Sequence, residues 1–386
     1  MEVYLISGSR TPSGSFLGAL STVTAPKLGA AAIQGALEKA NLPSDQVDKV
    51  YMGNVVQAGV GQAPARQAAI FAGLPEATPC TTINKVCGSG LESIILGAKD
   101  IALKDHELVV CGGMENMSLA PHLLAQSRTG TKFGKTELKD SMQWDGLWDV
   151  YSDRAMGNCA EECVQKYEFK REDQDAFAIE SFKKAQKAIE SGVFKDEITP
   201  VTLKTRKGEV VVDTDEGPMK ANFEKIPTLR PAFDKQGTIT AANASTINDG
   251  AAAVILGGEK YKDQAEFKIV SYATHAQNPT WFTVAPISAM KKCAEKVNLE
   301  MSDIDVFEIN EAFAAVPMAA IKELGLSQEK VNIYGGGVSL GHPIGCSGTR
   351  IVVTLMNAMK KNNFKRGMAS ICIGGGEALA MIIERI

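Results

Sequence analysis

Val109-Val110-Cys111-Gly112-Gly113-Met114-Glu115 is written again near the end of the chain as Ile371-Cys372-Ile373-Gly374-Gly375-Gly376-Glu377, an offset of 262 residues (377 − 115). Outward from this stretch, two more echoes fall in the same order. Glu38-Lys39-Ala40-Asn41-Leu42 returns as Glu295-Lys296-Val297-Asn298-Leu299, 257 residues on (295 − 38), and Val47-Asp48 returns as Ile304-Asp305 at the same offset. Gly88-Ser89-Gly90 returns as Cys346-Ser347-Gly348, 258 residues on (347 − 89). Solenoid units repeat at about 20–50 residues, so a period this long describes instead a domain present twice.

Each copy alternates short apolar runs with helical periodicity. Residues 3–7 and 50–52 read as buried strands and 28–40 and 91–103 as helices, the last with Leu91, Ile94, Ile95, Ala98 and Ile101 in one stripe. In the second copy 267–271, 306–309 and 369–373 read as strands and 351–359 as a helix. That alternation predicts βαβ units and largely parallel sheets. From about 118 to 242 the pattern gives way to scattered glycines and prolines around one helical stretch, 172–192. A long insertion on a rigid scaffold reads as a lid or substrate-binding element.

Composition narrows the function. Of 386 residues, 41 are Lys or Arg and 45 Asp or Glu, a net charge of −4. There is no basic excess to neutralise a phosphate backbone, which argues against nucleic-acid binding. No apolar run approaches the roughly 18–20 residues that cross a bilayer. Glu2 stands where a secretory signal wants positive charge. The expected location is therefore cytoplasmic, or the mitochondrial matrix for a chain whose transit peptide has been removed. Eight cysteines without a C-x-x-C pair, with only four histidines, give neither a disulfide framework nor a zinc site. Cys159 and Cys163, one helical turn apart, read as buried thiols.

Four positions carry chemistry. Cys87, in Asn84-Lys85-Val86-Cys87-Gly88-Ser89-Gly90, directly precedes a helix. Partial positive charge at that helix start is expected to stabilise a thiolate and lower the thiol pKa. His342, in Gly341-His342-Pro343-Ile344-Gly345, precedes the matching helix of the second copy, so a pseudo-twofold axis would bring the two together. Cys372 follows a β-branched strand and precedes three glycines whose N–H groups can line a cavity. Asn310, in Asn310-Glu311-Ala312-Phe313-Ala314, follows another strand and reads equally well as a helix N-cap. Two thiols converging with an imidazole and an amide suit acyl-thioester chemistry, in which one sulfur carries the acyl group and the other moves a proton.

These motifs, together with Gly112-Gly113-Met114-Glu115-Asn116-Met117-Ser118, resemble the thiolase family from Arg10-Thr11-Pro12 to the C terminus. The resemblance implies an α/β chain with a duplicated αβαβα five-layered fold and a loop domain inserted between the halves. The N-terminal domain would be residues 1–117 plus 243–265, the coenzyme A-binding loop domain 118–242, and the C-terminal domain 266–386. A homotetramer built as a dimer of dimers is the usual assembly. The implied activity is that of the acetoacetyl-CoA branch: reversible Claisen condensation of two acetyl-CoA to acetoacetyl-CoA and coenzyme A, through an acetyl group on Cys87.

In that scheme His342 activates Cys87, and Cys372 removes the α-proton of the second acetyl-CoA. Backbone N–H groups of Cys87 and Gly374 hold the acyl-enzyme oxygen, while His342 and a water fixed by Asn310 hold the enolate oxygen. Ser245 contacts the pantetheine arm, with Ala244 beside it, and Leu147, Met156, Phe233, Phe282 and Phe313 form apolar walls. Coenzyme A is substrate and product, so no cofactor and no metal is implied.

This chain departs from the family pattern at three places. Ala155 stands where many relatives carry a histidine. Phe182 stands where potassium-activated relatives carry a tyrosine hydroxyl, which puts potassium activation in doubt, although carbonyls of Ala241, Ala242, Ala244 and Val338 remain. Thr283 follows Phe282 where relatives tolerant of branched chains carry proline. A degradative 3-ketoacyl-CoA thiolase of broader chain length is the main competing reading, and Asn84-Lys85-Val86 before Cys87 favours the short-chain branch. A decarboxylating condensing enzyme would use a second histidine, and His106, His122 and His275 lie outside any matching motif. An inactive lipid-binding or scaffold paralogue would have lost one of Cys87, Asn310, His342 and Cys372, and all four are present.

Overall fold

Asn41 and Asn298 end the equivalent helices of the two copies in the same way. Both adopt left-handed backbone, φ 51° and 54°. Asn41 N–H bonds Glu38 O and Leu42 N–H bonds Leu37 O; Asn298 and Leu299 repeat this on Glu295 O and Ala294 O. Asparagine tolerates this conformation better than other side chains, which is why the echo keeps it. The second echo is a carboxylate clamp. Asp48 Oδ2 accepts from Glu107 N and Leu108 N, both at 2.9 Å, and Asp305 Oδ2 accepts from Lys365 N at 2.8 Å and Arg366 N at 2.9 Å.

The computed structural model describes residues 2–386. In the first copy the strands are β1 Tyr4–Arg10, β2 Lys49–Gly53, β3 Cys80–Ile83, β4 Leu108–Asn116 and β5 Asn248–Gly257; in the second, β6 Phe267–Ala276, β7 Val306–Ile309, β8 Arg366–Ile373 and β9 Glu377–Arg385. Their orders correspond: β3-β2-β4-β5-β1 and β7-β8-β9-β6, with a parallel bridge from Phe307 to Val331 standing where β3 stands in the first copy. The two sets pair edge to edge at Tyr4↔Lys268 and Leu5↔Phe267, and Ile269 N–H donates to Val3 O at 2.9 Å.

Strand register corrects two expectations. Lys49 pairs with Val109 and Val306 with Gly367, so the counterpart of Val109 is Gly367, 258 residues on (367 − 109), in step with the other echoes. The match at 262 is a likeness of composition: Gly112 and Gly113 lie within β4, whereas Gly374 to Gly376 form the turn after β8. The sheets are also mixed rather than largely parallel. β2 runs parallel to β3 and β4, and β7 to β8, but β5 and β9 pair antiparallel with every neighbour. β9 has no alternative, because only three residues separate it from β8.

The layers follow from where each apolar face is buried. Helices α1 Ala25–Ala40, α2 Ser89–Ala102, α3 Met156–Tyr167, α4 Arg171–Glu190, α5 Ala285–Glu295, α6 Ala315–Leu324 and α7 Ile344–Asn362 are the principal ones. Leu91, Ile94 and Ile95 of α2 pack with Ile351, Val352 and Leu355 of α7 between the two sheets, against Val109 and Val254 on one side and Ile371 and Met381 on the other. α1 covers the outer face of the first sheet, and α5 and α6 that of the second. The result is the five-layered αβαβα arrangement. α2 and α7 cross at glycines: a Cβ on Gly348 would strike the backbone of Leu91, one on Gly90 would strike Thr349, and Thr349 Oγ1 donates to Gly90 O at 2.9 Å.

Gly113 is tighter still, since a Cβ there would overlap the Gly345 carbonyl. Gly113→Ala is expected to destabilise the fold by about 3 kcal/mol, read as a lower urea midpoint at unchanged slope. Within the insertion, α3 buries Cys159 and Cys163 completely, as their spacing suggests. Arg10, itself 1% exposed, ties the end of β1 to the insertion through Glu197 at 2.6 Å and Asp215 at 2.7 Å. Among the described residues no helix is long and apolar enough to cross a membrane.

Candidate active site

The starts of α2 and α7 face one another, and a cavity of about 670 Å³ opens beside them. Cys87, His342 and Gly374 line it, with Ser245, Ala244, Leu147, Met156, Phe233, Phe282 and Phe313 along its walls. Phe313 lies edge-on to both Phe233 and Phe282, with ring centroids 6.0 and 6.2 Å away. Phe182, Ala241 and Val338 reach the same cavity. Cys372 and Asn310 are not among its lining residues and are 1% and 0% exposed.

Val86 places the nucleophile candidate. It is β-branched yet has φ 46°, a strained conformation that leaves Cys87 at the tip of a tight turn. Ser89 at the start of α2 locks that turn, accepting from Lys85 N at 2.8 Å and donating to Val86 O at 2.6 Å. The Cys87 residue is half-buried with its sulfur enclosed. Burial pushes the thiol up to about 11, against the backbone N–H groups of Gly374 and Cys87, which favour the thiolate. The expected depression by the helix start is thus outweighed by desolvation. At rest Cys87 is a thiol.

His342 is held from three directions. Its backbone N–H donates to Asn248 Oδ1 at 3.1 Å. Gly341 before it adopts φ 97°, and Asn248 fills the space where a side chain would sit. Its Nδ1 lies 2.5 Å from Ser347 Oγ, which donates its own proton to Pro343 O at 2.8 Å. With that hydroxyl proton committed, Nδ1 must be the donor, so Nε2 carries the free lone pair. Burial first, and the charge of Arg350 second, lower the imidazole to about 3. A neutral thiol and a neutral imidazole therefore share the cavity.

Three buried polar atoms nearby have no protein partner: His342 Nε2 and both amide atoms of Asn310. Asn310 caps no helix, since α6 begins five residues later behind Ala314. Unpartnered buried groups are costly, and such atoms in a native fold are free to meet a ligand or water. The Cys372 thiol is raised well above its ordinary value, chiefly by burial and then by the charge Cys87 acquires as a thiolate. The two sulfurs are thus electrostatic neighbours. Ser347, Asn248 and Glu115 went unassigned in the sequence, although Ser347 and Glu115 stand inside quoted motifs. Ser347, on the first turn of the helix that follows His342, was the readable signal.

A duplicated α/β fold with a thiol and an imidazole at facing helix starts beside an apolar cavity carries the groups that covalent acyl transfer of the cysteine–histidine type requires. The chain belongs to the thiolase family: the thiolase N-terminal domain model matches residues 3–260 and the C-terminal domain model 263–385. It is 48% identical to a mitochondrial acetyl-CoA acetyltransferase of Gibberella zeae over 100% of this chain and 91% of that one. Identity to acetyl-CoA acetyltransferase 2 of Arabidopsis thaliana is 48%, over 99% and 97%. The crystal structure of the Acat5 thiolase from Ascaris suum in complex with coenzyme A superposes with a TM-score of 0.95 at 43% identity, covering 100% of both chains.

Proposed function

We propose that this protein condenses two molecules of acetyl-CoA to acetoacetyl-CoA and coenzyme A, and runs the reverse thiolysis, through an acetyl group on Cys87. The observation that carries the reading is the convergence of Cys87, His342 and Gly374 on one largely apolar cavity walled by Ser245, Met156 and three phenylalanines. The relatives named acetyl-CoA acetyltransferase and the coenzyme A-bound thiolase support the same chemistry.

The Cys87 sulfur attacks the thioester carbonyl as His342 Nε2 takes its proton. The C–S bond to coenzyme A then breaks, the departing thiolate takes a proton from water, and the imidazolium keeps its proton on Nε2. Backbone N–H groups of Cys87 and Gly374, which favour the thiolate at rest, hold the carbonyl oxygen as it gains charge. Cys372 gives up its thiol proton to water, and as a thiolate it takes an α-proton from a second acetyl-CoA. Its enolate oxygen is held by His342 and by a water on Asn310, the atoms left unpartnered in the free protein. The carbanion attacks the acetyl carbonyl, and Cys87 leaves as a thiolate that takes back the proton from His342 Nε2.

Residues 118–242 form the coenzyme A-binding part in this reading, and Lys220 among them lines the cavity. Phe182, packed edge-on against Phe223 at 6.5 Å, offers no oxygen to an ion. Turnover is expected to be equal in sodium and potassium buffers. Exposed Leu119, Leu124, Phe133, Leu138 and Tyr151 in the insertion suit a tetramer contact, measurable by light scattering. Ser347→Ala removes the acceptor that fixes the imidazole tautomer, and kcat is expected to fall about 10- to 100-fold with KM little changed.

The deciding assay is thiolysis of acetoacetyl-CoA, run beside 3-ketohexanoyl-, 3-ketopalmitoyl- and 2-methylacetoacetyl-CoA. Turnover of the C4 substrate alone is expected. Activity rising with chain length would transfer the protein to the degradative branch.

A further inference from the structure

Cys87 and His342 come from different copies of the repeat, whose sheets pair at Tyr4↔Lys268 and Leu5↔Phe267 and whose helices α2 and α7 cross at Gly90 and Gly348. Sulfur and imidazole stand on the loops before those helices, and a further contact holds the two loops together. The side chain best placed is Glu115 near the end of β4, 0% exposed. Its Oε2 accepts from Gly345 N at 2.9 Å and Val55 N at 3.0 Å. Its Oε1 accepts from Asn54 Nδ2 at 2.7 Å and Val56 N at 3.2 Å.

These donors belong to the two segments that hold the reacting groups. Gly345 lies in the first turn of α7, three residues after His342. Val55 and Val56 form a small apolar cluster with Ile344, against which Val86 and Cys87 pack. One carboxylate therefore grips the segment beneath the nucleophile and the segment beyond the base. The approach is close: a Cβ on Gly345 would lie 2.8 Å from Glu115 Oε2, and one on Gly53 would lie 2.9 Å from the Gly345 carbonyl oxygen. Burial pushes the Glu115 carboxyl up to about 7, while its four donors favour the charged form, as does the start of a 19-residue helix. Its charge raises the Cys87 thiol, so slower alkylation in Glu115→Gln would report lost position and not lost charge.

We propose that Glu115 is a positioning residue that sets the spacing of Cys87 and His342 across the two halves of the fold. The proposal rests on the cysteine–histidine reading above. Neither Asn310 nor Cys372 is held by it, so the load of the first acetyl group is the step it governs.

Glu115→Gln keeps the shape but turns one acceptor oxygen into a donor facing N–H groups. Alkylation of Cys87 by iodoacetamide, followed by peptide mass, is measured from about pH 6 to pH 11 in the wild type, His342→Ala and Glu115→Gln. Near pH 7 both variants are expected to react about tenfold more slowly than wild type, and the three rates to converge toward high pH, where the thiolate forms without help. In acetyl-CoA turnover, Glu115→Gln is expected to lose about 10²-fold in kcat with KM held within about twofold. A wild-type rate for Glu115→Gln beside a slow His342→Ala overturns the proposal and leaves the pair intact. A wild-type rate for His342→Ala overturns the pair itself. Slowing of Glu115→Gln by the same factor at every pH marks a merely structural role and also overturns the proposal. Should Glu115→Gln not fold, Asn54→Ala removes one donor from the same carboxylate: about threefold slower alkylation near pH 7 supports the clamp, and the wild-type rate overturns it.

Discussion

Cys87→Ala protein incubated with radiolabelled acetyl-CoA and then unfolded is expected to carry no label, whereas the wild type retains one acetyl group per chain. Turnover in either direction should fall by about 10⁴-fold or more, the scale on which loss of a covalent nucleophile is felt in other enzymes. The other thiols offer no substitute. Cys372 is buried and raised well above its ordinary value, and Cys346, though next to the His342 loop, is 2% exposed and pushed up to about 12. Label remaining on the variant would show that another side chain receives the acetyl group, and the mechanism would have to be rebuilt around it.

Cys372→Ala is expected to separate the two half-reactions. The first needs Cys87, His342 and the N–H groups of Cys87 and Gly374, none of which the substitution touches. The variant should therefore take up one acetyl group at close to the wild-type rate. Condensation then fails for want of a base at the α-carbon, by about 10³-fold, within the usual range for a positioned acid–base group. Mass spectrometry of the intact protein reads the first step, and acetoacetyl-CoA absorbance the second. Equal slowing of both would mean that the cavity, 1% exposed Cys372 included, had collapsed rather than lost a base.

What the sequence disclosed was local, and what it withheld was not. Asn41 and Asn298 were legible because each helix end needs a residue at ease with positive φ. Cys87 and His342 were legible because both stand among glycines before helices. Strands β5 and β9 were not. Ala251-Ala252-Ala253 and Glu377-Ala378-Leu379-Ala380 are good helix formers, and only their neighbours in the sheet make them strands. The charge state of Cys87 was misread for a related reason. A helix start is visible in the chain, but the burial that overrides it comes from distant residues. Glu115 was quoted as part of a motif yet given no task, because its four donors lie 59 or more residues away along the chain.

Ser89 and Ser347 occupy equivalent places at the starts of α2 and α7, and they do different things. Ser89 closes the turn before Cys87, while Ser347 orients His342. In a symmetric pair of separate, identical half-chains, any residue at the meeting point would confront its own copy, thiol against thiol or imidazole against imidazole. Covalent fusion lifts that restriction. Once the halves share one polypeptide, each side of the former axis is free to vary alone, and an acid can be set against a base. The asymmetry of the twin serines is the trace of that freedom: the scaffold stays double, and the chemistry became single.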